Sequence, residues 1–598
     1  MRKITLFFLA VAISLLSYAE EPILPLSQVK VGMKGVGKTV FQGEKIEEFN
    51  VEILGVLRNA LGPKMDLILA RLSGDKVKAA GVMAGMSGSP VYIDGKLVGA
   101  VSLRIGTFIK EPIVGITPIE YMLKIDEKDK EEIKGGFLQS DFLGFVKPLP
   151  LPLKPEKKTV LPSFNFLPLK GELASGLSFK PIETPLVFSG FSPALIRRYQ
   201  SVFAKYGFIA TQFGGGLSGE DDGSELAPGS AIGVQLVSGD VNLTATGTLT
   251  YRRGDRVLAF GHPFFLLGAT SLPLTKAKVV TILPSLAESS KLAVPTKEVG
   301  AVVQDRSAGT LGILGRKPLL LPIEVKLRSK KGEEVFHYNV ALHSVFAPFL
   351  VQLTLANIIQ SVEKGSGDMS IHLSGRIELG DLPSVRIDNL FSGTSASEEA
   401  STIVGAIVHY LYNNEFRKVD IRGIRLTIDY SDELREASLI DAWLDKARAK
   451  PGEPLTLSVR LKPRRGKPVV RRFHLRVPLK MTPGEVKIVV GDASSVSAFE
   501  REKLKGGIKP RSVEDLIRLL SNMRRNNIVY ALFSRKGESG LLKGKYLPAL
   551  PPSILAVMGD SGREGGFKKI DAVFLDEERL KTEYKIIGKR ELTLRITE

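Results

Sequence analysis

The stretch Gly85–Pro90, with the sequence GMSGSP, is the segment from which the fold can be read. It is followed by VYI at 91–93, the turn Asp94-Gly95 and a second apolar run that begins at Leu97. Asp-Gly between two apolar runs is a strong hairpin signal. Small residues on both sides of Ser87 permit a sharp turn, which directs backbone N–H groups at one point. The stretch therefore predicts a serine held in a tight loop between β-strands.

The loop has the residues that a nucleophilic serine requires. A serine hydroxyl is a poor nucleophile near neutral pH, so it needs a base and groups that stabilise an oxyanion. We predict Ser87 as the nucleophile and the N–H groups of Gly85 and Ser87 as the oxyanion hole. Ser89 is the weaker candidate, because only Ser87 fits the pattern Gly-x-Ser-Gly. An ordinary Gly/Ser loop has the same composition, and the loop alone does not distinguish the two.

Segments on either side of this loop resemble the SpoIVB-type sporulation serine peptidases, whose fold is chymotrypsin-like. The matching segments are FNVEI at 49–53, GMSGSP with the following hairpin, GITPIEYML at 115–123, PGSAIGV at 228–234, LAFGH at 258–262 and AGTLGILG at 308–315. The resemblance implies that the serine after Gly-Met is the nucleophile and that the Gly-His segment supplies the general base. Carried onto this chain, these residues are Ser87 and His262.

The order of the two segments is the reverse of the order in that family. Here the serine segment precedes the histidine segment, whereas the family has the histidine first. If each barrel of a chymotrypsin-like fold carries one segment, the chain is a circular permutation in which 126–227 forms the crossover. Permutation is tolerated where chain ends lie close at the surface. A catalytic triad is recognised by geometry and roles, so the reversed order does not exclude one.

The sequence does not decide which residue is the acidic member of the triad. The family has an acid some fifteen residues before the serine, where this chain has Leu72, with Asp75 three residues later. Asp305 is a second candidate because it follows the histidine in the same half of the protein. A structural ion pair with Arg306 is the competing role for Asp305. A Ser–His dyad without an acid is the third alternative.

Neither a metal nor a cofactor is expected. The chain contains no Cys, which excludes disulfides, a thiol nucleophile and Cys-ligated metal centres. The histidines other than His262 show no metal-ligand spacing. His262 precedes Pro263, which favours an extended backbone at the histidine. A hydrogen-bonded core histidine would have the same local sequence, so its assignment as a base depends on the resemblance.

The first residues have the pattern of a secretory signal peptide. Met1-Arg2-Lys3 is basic, Ile4–Leu16 is apolar and too short to span a bilayer, and small residues lead to Ala19. This combination predicts export and cleavage near Ala19, to the periplasm or the exterior. An uncleaved membrane anchor is the alternative.

The net charge of +19 favours anionic neighbours. An anionic envelope polymer or a membrane surface is therefore a candidate partner, beside a protein or peptide substrate. A solvated Lys/Arg-rich surface explains the same charge without a partner. Export makes nucleic acid an unsuitable partner, so none is predicted.

At 598 residues the chain is too long for one core. We predict a mainly β protein: a circularly permuted chymotrypsin-like double β-barrel, a C-terminal immunoglobulin-like β-sandwich and a few helices. No internal repeat is visible. The predicted segments are a signal peptide at 1–19, the serine half at 25–125, a crossover with a helix at 126–227, the histidine half with further strands at 228–390, a helix and connecting strand at 391–430, the sandwich at 431–500 and a mixed region at 501–598.

Two functions from different classes fit this organisation. One is an exported serine endopeptidase that acts through an acyl-enzyme. The other is a non-catalytic envelope scaffold or binding protein built on a peptidase-like fold.

Overall fold

The computed structural model describes most of the chain: residues 21–106, 111–126, 179–213, 223–362, 367–479, 481–504, 510–542, 545–548, 551, 554 and 567–598. The predicted signal peptide at 1–19 and much of the predicted crossover lie outside these residues. The described chain divides into two compact units, one containing 21–126, 179–320 and 339–345, the other 321–338 and the rest from Phe346. Strands hold 53% of the residues and helices 17%, so the protein is mainly β, as predicted.

The first unit begins with a closed β-barrel, here called barrel A. After a short 3-10 turn (Leu26–Gln28), its strands are β1 (Lys34–Val40), β2 (Ile46–Leu57), β3 (Leu67–Ser73), β4 (Pro90–Ile93), β5 (Lys96–Ile105) and β6 (Ile113–Pro118). Neighbours follow the order β1-β2-β3-β6-β5-β4, and β4 pairs with β1, so the ring closes. Every pairing is antiparallel. Phe49, Val51 and Ile53 of β2 are buried in its core, as their alternation predicts. Two short helices, α1 (Asp75–Ala80) and α2 (Ile119–Asp126), flank it.

The chain then crosses to a second set of strands. The connecting elements are β7 (Phe179–Pro181), β8 (Thr184–Ser189), α3 (Pro193–Ala204) and β9 (Phe208–Gln212). As the sequence predicts, α3 begins after Ser192, whose side chain accepts a hydrogen bond from the Leu195 N–H. The described part of the predicted crossover is more than a linker, because β8 pairs with a strand of the second barrel and with β9.

The second barrel, barrel B, has the same topology as the first. Its strands are β10 (Ala231–Gly239), β11 (Asn242–Arg253), β12 (Arg256–Ala259), β13 (Gly268–Leu283), β14 (Ser290–Arg306) and β15 (Gly309–Leu314). Their order around the ring is β10-β11-β12-β15-β14-β13, closed by pairing of β13 with β10. Numbered from its own first strand, each barrel is 1-2-3-6-5-4. The sequences of the two barrels do not visibly repeat each other. A barrel requires apolar side chains at its inward-facing positions, but it does not require the same residues in both barrels.

The shared topology places the two predicted site residues in equivalent connections. Ser87 lies between the third and fourth strands of barrel A, and His262 lies between the third and fourth strands of barrel B. Barrel B closes at Leu314. From β16 onward the chain belongs mainly to the second unit, which contains the further strands predicted up to residue 390.

The second unit starts with a sheet and two helices. The elements are β16 (Leu320–Ser329), β17 (Gly332–Ala341), α4 (Phe346–Val362), β18 (Met369–Leu379), β19 (Val385–Gly393), α5 (Ala396–Tyr412) and β20 (Ile421–Ser431). The strands follow the order β19-β18-β20-β16-β17, and β16 and β20 are parallel. The helices α4 and α5 pack on each other. In the part of the chain that the structure describes, no helix is long and apolar enough to cross a membrane.

The C-terminal region forms two sheets around one core. The elements are β21 (Glu436–Leu444), β22 (Arg448–Ala449), β23 (Pro454–Pro463), β24 (Val469–Arg476), β25 (Gly484–Gly491), α6 (Ala493–Lys503), α7 (Val513–Ser521), β26 (Ile528–Leu542), β27 (Lys545–Leu547), β28 (Phe567–Lys581), β29 (Lys585–Ile587) and β30 (Lys589–Ile596). Apolar and polar residues alternate in 455–461 and again in 473–479, which predicts an antiparallel hairpin. The structure forms it as β23–β24, with Leu455 opposite Leu475. The sheets are β24-β23-β21-β29 and β22-β30-β25-β26-β27, with β28 on β26.

This sandwich extends beyond the predicted 431–500. Its core combines Leu457 and Val459 with Val529, Phe533 and Leu594. Strands from 436–491 alone would leave that apolar face open to water, so residues of the predicted mixed region complete the sandwich.

Candidate active site

The serine loop, Gly85–Ser89, is pressed against barrel B. Its two glycines have positive φ angles, 88° at Gly85 and 94° at Gly88. A methyl group on Gly88 would lie 2.0 Å from the carbonyl oxygen of Thr248 and 2.6 Å from the backbone nitrogen of Phe260. Only glycine fits a position that combines this backbone conformation with so close an approach.

Strand β11 of barrel B holds the backbone of the serine loop through two threonines. The Thr248 N–H donates to the Ser87 carbonyl at 2.9 Å, and the Thr248 hydroxyl donates to the Gly85 carbonyl at 3.0 Å. The Thr250 hydroxyl donates to the Gly88 carbonyl at 2.7 Å. These bonds satisfy three carbonyl groups of a buried turn and fix the direction of its N–H groups.

The Ser87 hydroxyl is fully buried and unpaired. Its side chain has no exposed surface, and its Oγ has no hydrogen-bond partner among the described residues. The Ser89 hydroxyl, in contrast, donates to the Met86 carbonyl at 2.6 Å, which gives it a structural role. The Gly85 N–H, predicted for the oxyanion hole, donates to the Glu183 carbonyl at 3.2 Å. In this structure that donor is therefore already occupied.

The His262 ring is arranged as a neutral base. Its Nδ1 lies 2.8 Å from the carbonyl oxygen of Pro263, which accepts only, so Nδ1 carries the proton. Its Nε2 is buried and has no hydrogen-bond partner in the described part of the chain. Burial lowers the pKa of His262 to about 4, although the carbonyls of Pro263 and Ile182 favour the protonated ring. The ring is thus neutral at pH 7, with its basic lone pair on Nε2.

The residue before the histidine ties its loop to barrel A. The carbonyl of Gly261 accepts a hydrogen bond from the Thr117 hydroxyl at 2.7 Å, and that hydroxyl lies 2.7 Å from the Ser102 hydroxyl. A methyl group on Gly261 would lie 2.9 Å from Cβ of Ala100. The serine loop rests on barrel B and the histidine loop rests on barrel A. The Ser87 hydroxyl and His262 Nε2 are not hydrogen-bonded to each other, since neither atom has a partner.

Strain is present two residues before the histidine. Phe260 has a φ of 66°, although its side chain is bulky and its ring is completely buried. Its ring packs edge-on to His262, with centroids 6.2 Å apart. A left-handed conformation in a bulky residue costs about 1–3 kcal/mol and is concentrated at functional sites.

Neither predicted acid contacts the histidine ring. The Asp305 carboxylate instead accepts backbone N–H groups of the histidine loop, from Phe264 and Phe265 at 2.7 Å and from Leu267 at 3.1 Å. Burial raises the pKa of Asp305 to about 6, and these hydrogen bonds oppose the rise. Asp75 lies exposed in the first turn of α1. The structure therefore places Asp305 as a support of the loop that carries His262, and it shows no hydrogen bond between Asp75 and the ring among the described residues.

Lys291 is a site neighbour that the sequence analysis did not select. It follows Ser290 in β14, its N–H donates to the Ala84 carbonyl, and its Nζ donates to the Thr39 hydroxyl at 2.5 Å. Among the described residues no carboxylate pairs with this amine, and burial lowers its pKa to about 7. Its position beside the serine loop depends on contact between two barrels, for which the local sequence holds no signal.

We expect Lys291→Met to change how stability depends on pH. Because the folded-state pKa of Lys291 is lowered, the unfolded chain binds its proton more tightly between about pH 7 and 10. Wild-type stability should therefore rise with pH across this window, by up to about 1.4 kcal/mol per pH unit from this one group. The variant should lack that contribution. Urea unfolding of both proteins at pH 7, 8 and 9 measures the difference, and parallel pH dependences would contradict the expectation.

No group of three or more His, Asp or Glu side chains among the described residues is arranged to hold a metal. The arrangement that remains is a buried hydroxyl and a neutral imidazole on equivalent loops of two barrels. This pairing of groups is suited to acyl transfer through a serine.

Comparison with known proteins supports the same assignment. The family model described as SpoIVB peptidase S55 matches residues 15–124, which include the serine loop but not His262. No curated protein and no solved structure matches the chain. A buried serine loop on a closed antiparallel barrel is consistent with that family. Over residues 15–124, the chain is therefore similar to the SpoIVB-type serine peptidases.

Proposed function

We propose that this protein is an exported serine endopeptidase that hydrolyses peptide bonds in the cell envelope. Ser87 is the nucleophile and His262 is the general base. The observation that carries the proposal is the pair of buried, unpartnered atoms, Ser87 Oγ and His262 Nε2, on equivalent loops of two barrels with the same topology.

The chemistry follows from the state of each group. The Ser87 oxygen attacks the carbonyl carbon of the substrate peptide while its proton passes to the free lone pair of His262 Nε2. Backbone N–H groups of the serine loop, those of Gly85 and Ser87, stabilise the resulting oxyanion. The imidazolium then gives its proton to the departing amine, which leaves an acyl-enzyme. Water, activated by the same ring, hydrolyses the ester and restores Ser87.

Barrel order and export belong to the same proposal. The serine barrel precedes the histidine barrel, so we propose that the fold is a circular permutation with the crossover within 126–227. Export is supported by the pattern of residues 1–19. A protein or peptide is the substrate, and the net charge of +19 supports contact with an anionic envelope polymer or membrane surface.

One observation favours the second candidate, a non-catalytic scaffold. Among the described residues no carboxylate is hydrogen-bonded to the His262 ring, whose Nδ1 is bound to a backbone carbonyl instead. In addition, Ser87 is completely buried. A scaffold that kept a peptidase fold would need neither an acid nor an accessible hydroxyl.

Labelling with a fluorophosphonate tests the catalytic proposal. Because only an activated serine reacts, we expect the folded wild-type protein to acquire one adduct on Ser87, and Ser87→Ala to acquire none. The reaction should be followed for hours, since the reagent enters only when the buried site opens. Mass spectrometry of proteolytic peptides locates the adduct.

Ser89→Ala is the matched control for this experiment. It removes a neighbouring hydroxyl that is bound to the Met86 carbonyl, so labelling of Ser87 should persist. Absence of a Ser87 adduct in wild-type protein would reject the peptidase and leave the scaffold. An adduct on Ser89 would show that the nucleophile is misassigned.

A further inference from the structure

The short strand β7 lies outside the closed ring of barrel A. It pairs antiparallel with the far end of β5, where Leu103 faces Pro181 and Arg104 faces Lys180. The pairing of β4 with β5 ends where Pro90 meets Ala100. The last residues of β5 therefore extend beyond β4 and expose a backbone edge on that side. Such an edge is a template for an added strand.

The segment that fills this edge continues directly into the candidate active site. We call Phe179–Pro185 the strap. The Ile182 N–H donates to the Ser102 carbonyl at 2.9 Å, which prolongs the ribbon with β5. The carbonyl of Ile182 lies beside the His262 ring, where it favours a higher pKa of that histidine.

The strap also meets the serine loop. The Glu183 carbonyl accepts the Gly85 N–H at 3.2 Å. The ring of Pro185 lies 3.4 Å from the position that a Cβ on Gly85 would occupy. Successive carbonyls of one extended segment thus contact both the proposed base and a proposed oxyanion-hole donor.

A buried side-chain cluster joins the strap to the same strand that it extends. The Glu183 carboxylate lies 3.2 Å from Nη1 of Arg104, which also lies 3.0 Å from the carboxylate of Glu288. All three side chains are largely buried. Burial and the neighbouring Glu288 raise the pKa of Glu183, against the opposing charge of Arg104, so Glu183 contacts Arg104 as a protonated carboxyl group at neutral pH. This buried cluster, with the backbone pairing around it, fixes one register of the strap on β5.

A peptide substrate of a serine peptidase pairs with a strand edge, places a carbonyl group at the oxyanion-hole donors and lies beside the base. The strap fulfils all of these conditions. We propose that the strap occupies the peptide-binding edge of the candidate site as an intramolecular ligand, and that an extended polypeptide binds by displacing it. The assignment of this edge to a substrate rests on the proposed function. The complete burial of Ser87 is the expected consequence of an occupied site.

Lys180 offers a way to weaken the strap without touching the core. It is exposed, and it is two residues from Ile182, whose N–H is bonded to β5. In an antiparallel pair bonded positions alternate, so the Lys180 N–H also faces a β5 carbonyl, while Pro181 occupies the position that needs no donor. Lys180→Pro removes this donor, and Lys180→Ala keeps it as the matched control.

The test measures peptide binding in a Ser87→Ala background, so that it does not depend on catalysis. The probe is a fluorescein-labelled heptapeptide with the sequence of residues 179–185, FKPIETP. Fluorescence anisotropy should show about tenfold tighter binding to Lys180→Pro than to Lys180→Ala, because the tethered strap competes at a high effective concentration. Equal affinity for the two variants, or no binding to either, would overturn the proposal.

A second variant covers the case in which Lys180→Pro does not fold. Glu183→Ala removes the side-chain contact with Arg104 and leaves the strap backbone intact, so it should also bind the probe more tightly than Lys180→Ala. Failure of the two proposals is distinguishable. Probe binding without fluorophosphonate labelling rejects catalysis alone, whereas labelling of Ser87 with no difference in probe binding rejects the strap alone.

Discussion

Replacing His262 with Gln should lower the rate of peptide hydrolysis by on the order of 10⁴-fold or more. The ring is the only proposed acceptor of the Ser87 proton, and its Nε2 is free of any described partner. A glutamine amide has no basic nitrogen, so it cannot accept that proton. Cleavage of unfolded casein and the rate of fluorophosphonate labelling are the measurements.

The pH profile gives a second readout of the same residue. Burial lowers the pKa of His262 to about 4, so the base stays neutral as the pH falls from 8 to about 5. We expect activity to hold over that range and to fall only near pH 4, whereas an ordinary histidine would lose its basic form near pH 6.5. His409→Gln is the matched control, because burial likewise lowers the pKa of His409 to about 4, but it lies on α5 of the other unit. Equal losses of peptidase activity in His262→Gln and His409→Gln would indicate a structural effect and contradict the assignment of His262 as the base.

Replacing Asp305 with Ala should destabilise the first unit by about 3 kcal/mol, which lowers its melting temperature by about 6–12 °C. The carboxylate accepts N–H groups of Phe264, Phe265 and Leu267, and its loss leaves these buried donors without a partner. Loss of a buried charge offsets part of that cost. Differential scanning calorimetry measures the change.

The effect of Asp305 also has a predicted pH dependence. Its pKa is raised to about 6 in the folded protein, so the folded state binds the proton more tightly than the unfolded state. The stability that this adds is present below about pH 4 and is lost as the pH rises through 6. The difference between wild type and Asp305→Ala should therefore be larger at pH 5 than at pH 8. Asp75 is the exposed acid that was the other candidate from the sequence. Asp75→Asn should change neither stability nor activity. A stable Asp305→Ala protein with lost activity would instead indicate a direct role beside His262.

Local sequence patterns were sufficient to predict strands and to pick out the serine loop and the histidine loop. The alternation around Phe49, the Asp94-Gly95 turn and the Ser192-Pro193 helix start all report on backbone geometry within a few residues, which is why they transfer directly into elements of the structure. The same reasoning predicted the hairpin of β23 and β24. It did not show that strands after residue 500 complete the sandwich, because that depends on which apolar faces cover one another.

The serine loop Gly85–Ser89 and the Gly261-His262 pair could be selected from sequence because both lie in segments that resemble one peptidase family. The partners of those groups were decided by tertiary structure. The Asp305 carboxylate accepts N–H groups of the histidine loop, and Lys291 lies beside the serine loop. The Glu183 carbonyl of the strap accepts the Gly85 N–H. Each of these contacts joins residues that are distant along the chain. The Asp305 contacts join a strand and a loop of barrel B, and the Lys291 contacts join the two barrels. No local sequence pattern records such pairings, because the folding of the whole chain creates them.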